Sequence, residues 1–289
     1  MCVFFNVFGM KLPAYGCMIS LGLIVANLIA IFGVVEKKGV NRYDFLILEG
    51  YSFLFGILGA KLLYFVVSFK DIDWKHFFEP QYFMALLNGG FVFYGGLILG
   101  IFGCWLGGKI HKINSREFAY HAIFIVPMIH AFGRVGCFFA GCCYGIPYNG
   151  PLAVVYPESP FSNGAPAGIP LFPMPLVEAS CLLIIALLIM ILDKVKKDAP
   201  TVSVYLILYA IVRFVLENYR YDEIRGIYFG LSTSQWISIG MMVAGIVLIP
   251  IQYCGKKAKA RRALLGISEG TEIPPKQEEA SQEAQNDKA

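Results

Sequence analysis

Charged side chains are scarce in this sequence. Asp, Glu, Lys and Arg make up 15% of its 289 residues, where a soluble domain carries about 25%. A water-facing surface over this length cannot be built from so few charges. The formal net charge of +4 is too small to argue for a nucleic-acid partner, and none is expected. Amphipathic stripes are missing as well, because the apolar residues come in long blocks. The opening "MCVFFNVFGMKLPAYG" has neither a basic start nor a small-residue cleavage site, so the first span is expected to serve as its own insertion signal. Lys and Arg are absent from the whole stretch 140–174.

What is present is hydrophobic: 57% of the residues, in blocks that approach the roughly 20 apolar residues needed to cross about 30 Å of hydrocarbon. The pattern predicts an all-α, polytopic integral membrane protein. About seven spans are expected, near 12–35, 45–69, 91–108, 118–139, 175–192, 201–220 and 231–252. The connections sort by charge. One set holds Lys37, Lys38 and Arg42, then Lys109, Lys112 and Arg116, then Lys194, Lys196 and Lys197, then the cluster from Lys256 to Arg262. The alternate set holds Lys11, Lys70, Lys75, Arg220 and Arg225. The positive-inside rule makes the first set cytoplasmic, with the N-terminus outside and the C-terminus inside. Residues 1–254 form the expected membrane domain. Residues 255–289 read as a cytoplasmic tail, basic and then polar, too poor in apolar residues to bury a core and expected to be disordered.

A short list of charges then remains in or near spans: Lys61, Arg134, Arg213, Glu49, Glu178 and Glu217. Each costs a few kcal/mol or more at mid-bilayer unless paired or hydrated. The topology brings Arg134, Glu178, Arg213 and Glu217, with Tyr15 and the segment "GGFVFYGG" (89–96), to one outer depth, and Lys61 is a further candidate. Arg213 and Glu217 are four apart and share a helix face, which also suits a purely structural ion pair. His130 is four before Arg134, and a satisfied core histidine is the plain reading of it. Glu217 can neutralise one of two neighbouring guanidiniums, so the remaining positive charge calls for an anion. Gly133, Gly136, Gly141 and Gly145 would let helices approach closely or let the backbone leave helical geometry. A guanidinium among backbone N–H groups suits a phosphate, and at the outer leaflet that means a phospholipid headgroup. Cys137, Cys142 and Cys143 are clustered, but their spacing is not a recognised zinc pattern. They read as small residues lining a helix interface and loop, with a soft metal or a disulfide as the alternative. No metal or cofactor is expected.

"GRVGCFFAGCCYG" (133–145) resembles the glycine-rich signature of prolipoprotein diacylglyceryl transferases, G-R-x-G-N-F-x-N-G-E-x-[WY]-G. "LPAYGCMISLGL", "GILGAKLLYFV", "GGFVFYGGLILG", "PMPLVEA" and "YAIVRFVLENYR" resemble further segments of the same family. The resemblance implies an enzyme of lipoprotein biosynthesis in the bacterial cytoplasmic membrane. It would transfer the diacylglyceryl group of phosphatidylglycerol to the lipobox cysteine of a prolipoprotein. Its expected partners are phosphatidylglycerol, prolipoprotein signal peptides and membrane lipids. Catalysis is expected at Tyr94, Arg134, Arg213 and Glu217, with Glu217 orienting Arg213. Substrate binding is expected at Tyr15, Arg134, Gly136, Cys137, Gly145, Glu178 and Arg213. Tyr94 stands where the family has histidine, and Cys137, Ala140 and Cys142 stand where it has two asparagines and a glutamate. The proton acceptor is therefore open between Tyr94, preferred by position, and His130. The alternatives are the same fold acting on another acceptor or lipid, and a catalytically impaired lipid-binding or transport protein.

Overall fold

The computed structural model describes residues 4–7, 10–35, 41–88, 92–158, 164–196, 199–221 and 226–264. Two compact units are distinguished, Met1–Ile246 and Val247–Ala289. The second carries the last turns of α9 (Thr233–Leu264), so the basic segment to residue 264 continues a helix. The expected polar tail from 265 onward lies outside the described residues, as do residues 89–91 of "GGFVFYGG".

The first unit is built from helices. α1 (Ala14–Ile29) follows Pro13 and widens into a π-turn over Ala30–Val35. α2 (Arg42–Val67) is capped by Asn41, whose side-chain oxygen accepts from the Tyr43 amide at 3.0 Å. α3 (Pro80–Asn88) is a short helix in the connection to α4 (Phe93–His111). The fourth predicted span resolves into two helices, α5 (Ser115–Ala122) and α6 (Ile125–Ala140). Pro127 accounts for the break, because its ring nitrogen has no proton to offer the carbonyl of Ile123. α7 (Met174–Val195) and α8 (Thr201–Leu216) follow, and a 3₁₀ turn over Glu217–Tyr219 extends α8. Three small antiparallel pairs are described, one before α1 and two in connections between helices: β1 (Phe4–Val7) with β2 (Met10–Pro13), β3 (Val154–Val155) with β4 (Pro170–Leu171), and β5 (Ile227–Tyr228) with β6 (Leu231–Ser232).

Six helical stretches among the described residues are long and apolar enough to cross a membrane. The chain is an all-α, polytopic membrane protein. α4 is helical where a span was predicted and is not among the six. Leu28, Ile184, Leu187 and Val243 point outward, which suits lipid and would waste apolar area in water.

Packing divides the helices into neighbouring groups. α2 lies along α4, and α1, α6, α7 and α8 pack in that order. Glycine sets the α2–α4 approach. A methyl group added at Gly59 would strike the Gly95 carbonyl oxygen, and one added at Gly95 would strike that of Gly59. The main buried cluster includes Ala26, Phe45, Phe124, Met128, Ile185 and Ile189. At the end of the bundle formed by the α7 C-terminus and the α8 N-terminus, His121 Nδ1 lies 3.0 Å from Asp193 Oδ1, and Thr201 donates to the Tyr120 carbonyl at 2.6 Å.

Candidate active site

The opposite end of the same helices gathers the predicted site. Tyr15 is in the first turn of α1, Arg134 and Cys137 in the last turns of α6, Glu178 near the start of α7, and Arg213 in the last turn of α8. Chain direction alone brings these ends together, since α6 leaves towards this end, α7 returns from it and α8 comes back.

Two arginines are held there, each by its own carboxylate. Arg134 Nε lies 3.0 Å from Glu178 Oε2, and Glu178 is 1% exposed. The other carboxylate oxygen, Oε1, accepts from the Tyr209 hydroxyl at 3.2 Å. Arg213 Nη2 lies 2.6 Å from Glu217 Oε2 and donates to the Ser234 hydroxyl at 3.1 Å. Glu217 Oε1 accepts from Ser232 at 3.0 Å. Buried ion pairs persist when further hydrogen bonds complete them, and Tyr209, Ser232 and Ser234 supply these. The expectation that one guanidinium lacks a protein counter-charge is thereby corrected. It counted Glu217 and overlooked that Glu178, placed among the substrate-binding residues, is spent on Arg134. What remains for a ligand is donor capacity. Arg213 Nη1 is buried with no hydrogen-bond partner among the described residues.

The signature after α6 folds as a sharp return. Gly141 is left-handed at φ 68° and ends the helix, with its amide directed at the carbonyls of Cys137 and Phe138. Cys143 is also left-handed, at φ 58°. Gly145 then pairs with Arg220, flanked by Ile146 N–H to Tyr219 O at 3.0 Å and Tyr221 N–H to Tyr144 O at 3.3 Å. A Cβ at Gly145 would sit 2.7 Å from the Phe172 carbonyl oxygen. Gly145 thus serves by letting the loop close on the end of α8. Gly136 does the same for α1, since a Cβ there would come within 3.0 Å of Tyr15 Cα.

The return also collects sulfur. The Sγ atoms of Cys137, Cys142 and Cys143 all lie within 4.8 Å of one another. Arg134 Nη1 approaches Cys143 Sγ at 3.5 Å. Tyr156, 2% exposed, has a buried hydroxyl with no hydrogen-bond partner among the described residues. Burial pushes this phenol up to about 12, and the three cysteines lie close enough to add to the shift.

The remaining predicted residues are placed differently. Tyr94 is in the first turn of α4, 45% exposed, on the α2–α4 pair and not on the helices that carry the arginines. His130 packs edge-on to Tyr209, with ring centroids 5.3 Å apart. Lys61 donates to the Leu86 carbonyl and lies over the Tyr64 ring. Glu49 is held by Asn27 at 2.8 Å, within the α1–α2 contact. Tyr209, Ser232, Ser234 and Tyr156 were not anticipated. The signal for Tyr209 was its place in the four-residue series Tyr205, Tyr209, Arg213 and Glu217 on one face of α8. The two serines and Tyr156 carry no comparable signal.

Known proteins resemble this chain over most of its length. The profile of the family described as prolipoprotein diacylglyceryl transferase matches residues 2–251. A protein of Clostridium perfringens named phosphatidylglycerol–prolipoprotein diacylglyceryl transferase 2 is 34% identical over 258 residues, covering 89% of this chain and 96% of its own. A protein of Clostridium tetani named phosphatidylglycerol–prolipoprotein diacylglyceryl transferase is 34% identical over 250 residues, 86% of this chain and 96% of its own. One of the same name from Pasteurella multocida is 30% identical over 269 residues, 88% of this chain and 94% of its own. The match runs from the first helix past Ser234, through both arginine–carboxylate pairs and the glycine-rich return between them. This chain belongs to the prolipoprotein diacylglyceryl transferase family.

Proposed function

We propose that the chain transfers the diacylglyceryl group of phosphatidylglycerol to the cysteine thiol of a prolipoprotein, at the outer face of a bacterial cytoplasmic membrane. The observation that carries this reading is the pair of anchored arginines at one end of the bundle, with Arg213 Nη1 buried and without a hydrogen-bond partner among the described residues. A phosphate diester meets that requirement. It carries one negative charge, accepts hydrogen bonds through its oxygens, and arrives in the membrane plane with its acyl chains in lipid.

In the reaction the acceptor sulfur attacks the glyceryl carbon that bears the phosphate. A C–S bond forms, the C–O bond breaks, and its electron pair leaves with glycerol 1-phosphate. Charge on the departing phosphate grows through this step, so fixed guanidiniums stabilise the transition state more than the bound lipid. Glu178 and Glu217 are positioning residues that hold the arginines in place before the lipid arrives. The thiol must lose a proton, because the thiolate is the nucleophile. Tyr94 stands at the family's histidine position and is the preferred acceptor by that position alone, since it is carried on α4 and not on the arginine-bearing helices. His130 lies one helical turn deeper than Arg134 and is the alternative.

The test is expression of the chain in cells depleted of their own transferase. A model lipoprotein should gain the mass of a diacylglyceryl group. Lipid bound by the purified chain with no mass gained by the lipoprotein would instead support the lipid-binding alternative.

A further inference from the structure

Apart from the expected substrate contact at Cys137, the reaction above assigns no role to the three-cysteine cluster, whose sulfurs are close enough together to share an ion. Thiolate–zinc bonds of about 2.3 Å put the sulfurs roughly 3.8 Å apart around a metal. The Sγ atoms of Cys137, Cys142 and Cys143 already lie within 4.8 Å of one another. Side-chain adjustments of under about 1 Å would close them on an ion.

The backbone is arranged to gather them. Cys137 is in the last turn of α6, and the left-handed Gly141 reverses the chain behind it. Cys142 N–H returns to the Cys137 carbonyl at 3.1 Å. Cys143 adopts φ 58°, a left-handed conformation that a side chain other than glycine's rarely takes. A second observation comes from another segment. Tyr156, in the 140–174 connection, is 2% exposed, its ring centroid lies 6.3 Å from that of Phe138 on α6, and its hydroxyl is buried with no hydrogen-bond partner among the described residues. A buried hydroxyl left unpaired is destabilising, and an ion or its bound water would satisfy it. A donor from the neighbouring helix is also at hand, since Arg134 Nη1 stands 3.5 Å from Cys143 Sγ.

We propose that Cys137, Cys142 and Cys143 form a binding site for a thiophilic d¹⁰ metal ion of the Zn²⁺ class, with the fourth position filled by water or by the Tyr156 hydroxyl. Soft sulfur donors select such ions over Mg²⁺ or Ca²⁺. Binding releases the thiol protons, up to three per ion. The site does not rest on the transferase reading, since the chain can hold the ion whether or not it transfers lipid.

The test uses the full chain, reduced, purified in detergent and stripped with a chelator. Zn²⁺ is titrated against a chromophoric competitor, and Cd²⁺ is followed by its thiolate charge-transfer absorption. The expected result is one ion per chain with a cadmium–thiolate band. Cys142→Ser and Cys143→Ser should each weaken binding at least tenfold and remove most of the band, while Cys104→Ser changes neither. Each variant is checked for a single folded species by size-exclusion chromatography. Binding with unchanged affinity in Cys142→Ser and Cys143→Ser, no stoichiometric binding to the reduced protein, or a disulfide among these cysteines that re-forms and excludes the ion would each overturn the proposal.

Discussion

Glu178 is buried to 1% exposure beside Arg134, so removing either partner alone strands the other's charge. Breaking a buried pair in this way costs about 3–5 kcal/mol. Arg134→Ala and Glu178→Ala should each lower the unfolding midpoint in detergent, and the double variant should recover much of that loss, because nothing charged is then left unpaired. Lipid affinity should behave differently. Charge-assisted contacts to phosphate are worth about 1.5–3 kcal/mol each. Phosphatidylglycerol binding should therefore fall roughly ten- to a hundredfold in Arg134→Ala and stay low in the double variant, with a smaller change for a zwitterionic lipid. Arg134→Lys should restore part of it, since an ammonium lacks the two-pronged contact. Full lipid affinity in the double variant would make Arg134 a purely structural residue. At this scale the sequence was partly legible. The Arg213–Glu217 pair follows from four-residue spacing on one helix. The Arg134–Glu178 pair joins two helices across the 140–174 connection, and no local spacing announces it.

Among the elements, the α2–α4 pair makes the sharpest demand on sequence. Gly59 and Gly95 leave no room for a methyl group, whereas Gly50, on the same helix, has nothing within 4 Å of an added Cβ. Gly59→Val should therefore separate the two helices and lower the unfolding midpoint strongly. Gly50→Ala should be neutral or stabilising by up to about 1 kcal/mol, from helix propensity alone. Equal effects of the two would contradict the close approach. Helix positions were largely legible from hydropathy, as α7 and α8 show by beginning within a residue of their predicted starts. The break before Pro127 was not, because an apolar run continues across it while the backbone cannot. The short β1–β2 pair at the start of the chain was also missed, since its residues continue the apolar composition of the first span.

For the whole molecule, orientation rests on the distribution of Lys and Arg between connections, a signal that only the sequence carries. Reporter fusions after Lys38 and Arg116 should report cytoplasm, and a fusion near Asn163 should report the outside. A cytoplasmic 140–174 connection would overturn the outer-leaflet site. The fold class and the convergence of the arginine-bearing helix ends were legible from span order and charge. Tyr94 was expected in the same cluster, but it stands on the α2–α4 pair, because hydropathy gives the depth of a residue and not its neighbours across the bundle.

The central claim is lipid transfer to a thiol, and the most direct measurement is made with purified components. The chain in phosphatidylglycerol-containing nanodiscs is incubated with a lipobox peptide, and both products are followed by mass spectrometry. Transfer predicts that the peptide cysteine gains one diacylglyceryl group for each glycerol 1-phosphate released, and that Arg213→Ala abolishes both. An unmodified peptide in the presence of tightly bound phosphatidylglycerol, or glycerol phosphate released without thioether formation, would contradict it.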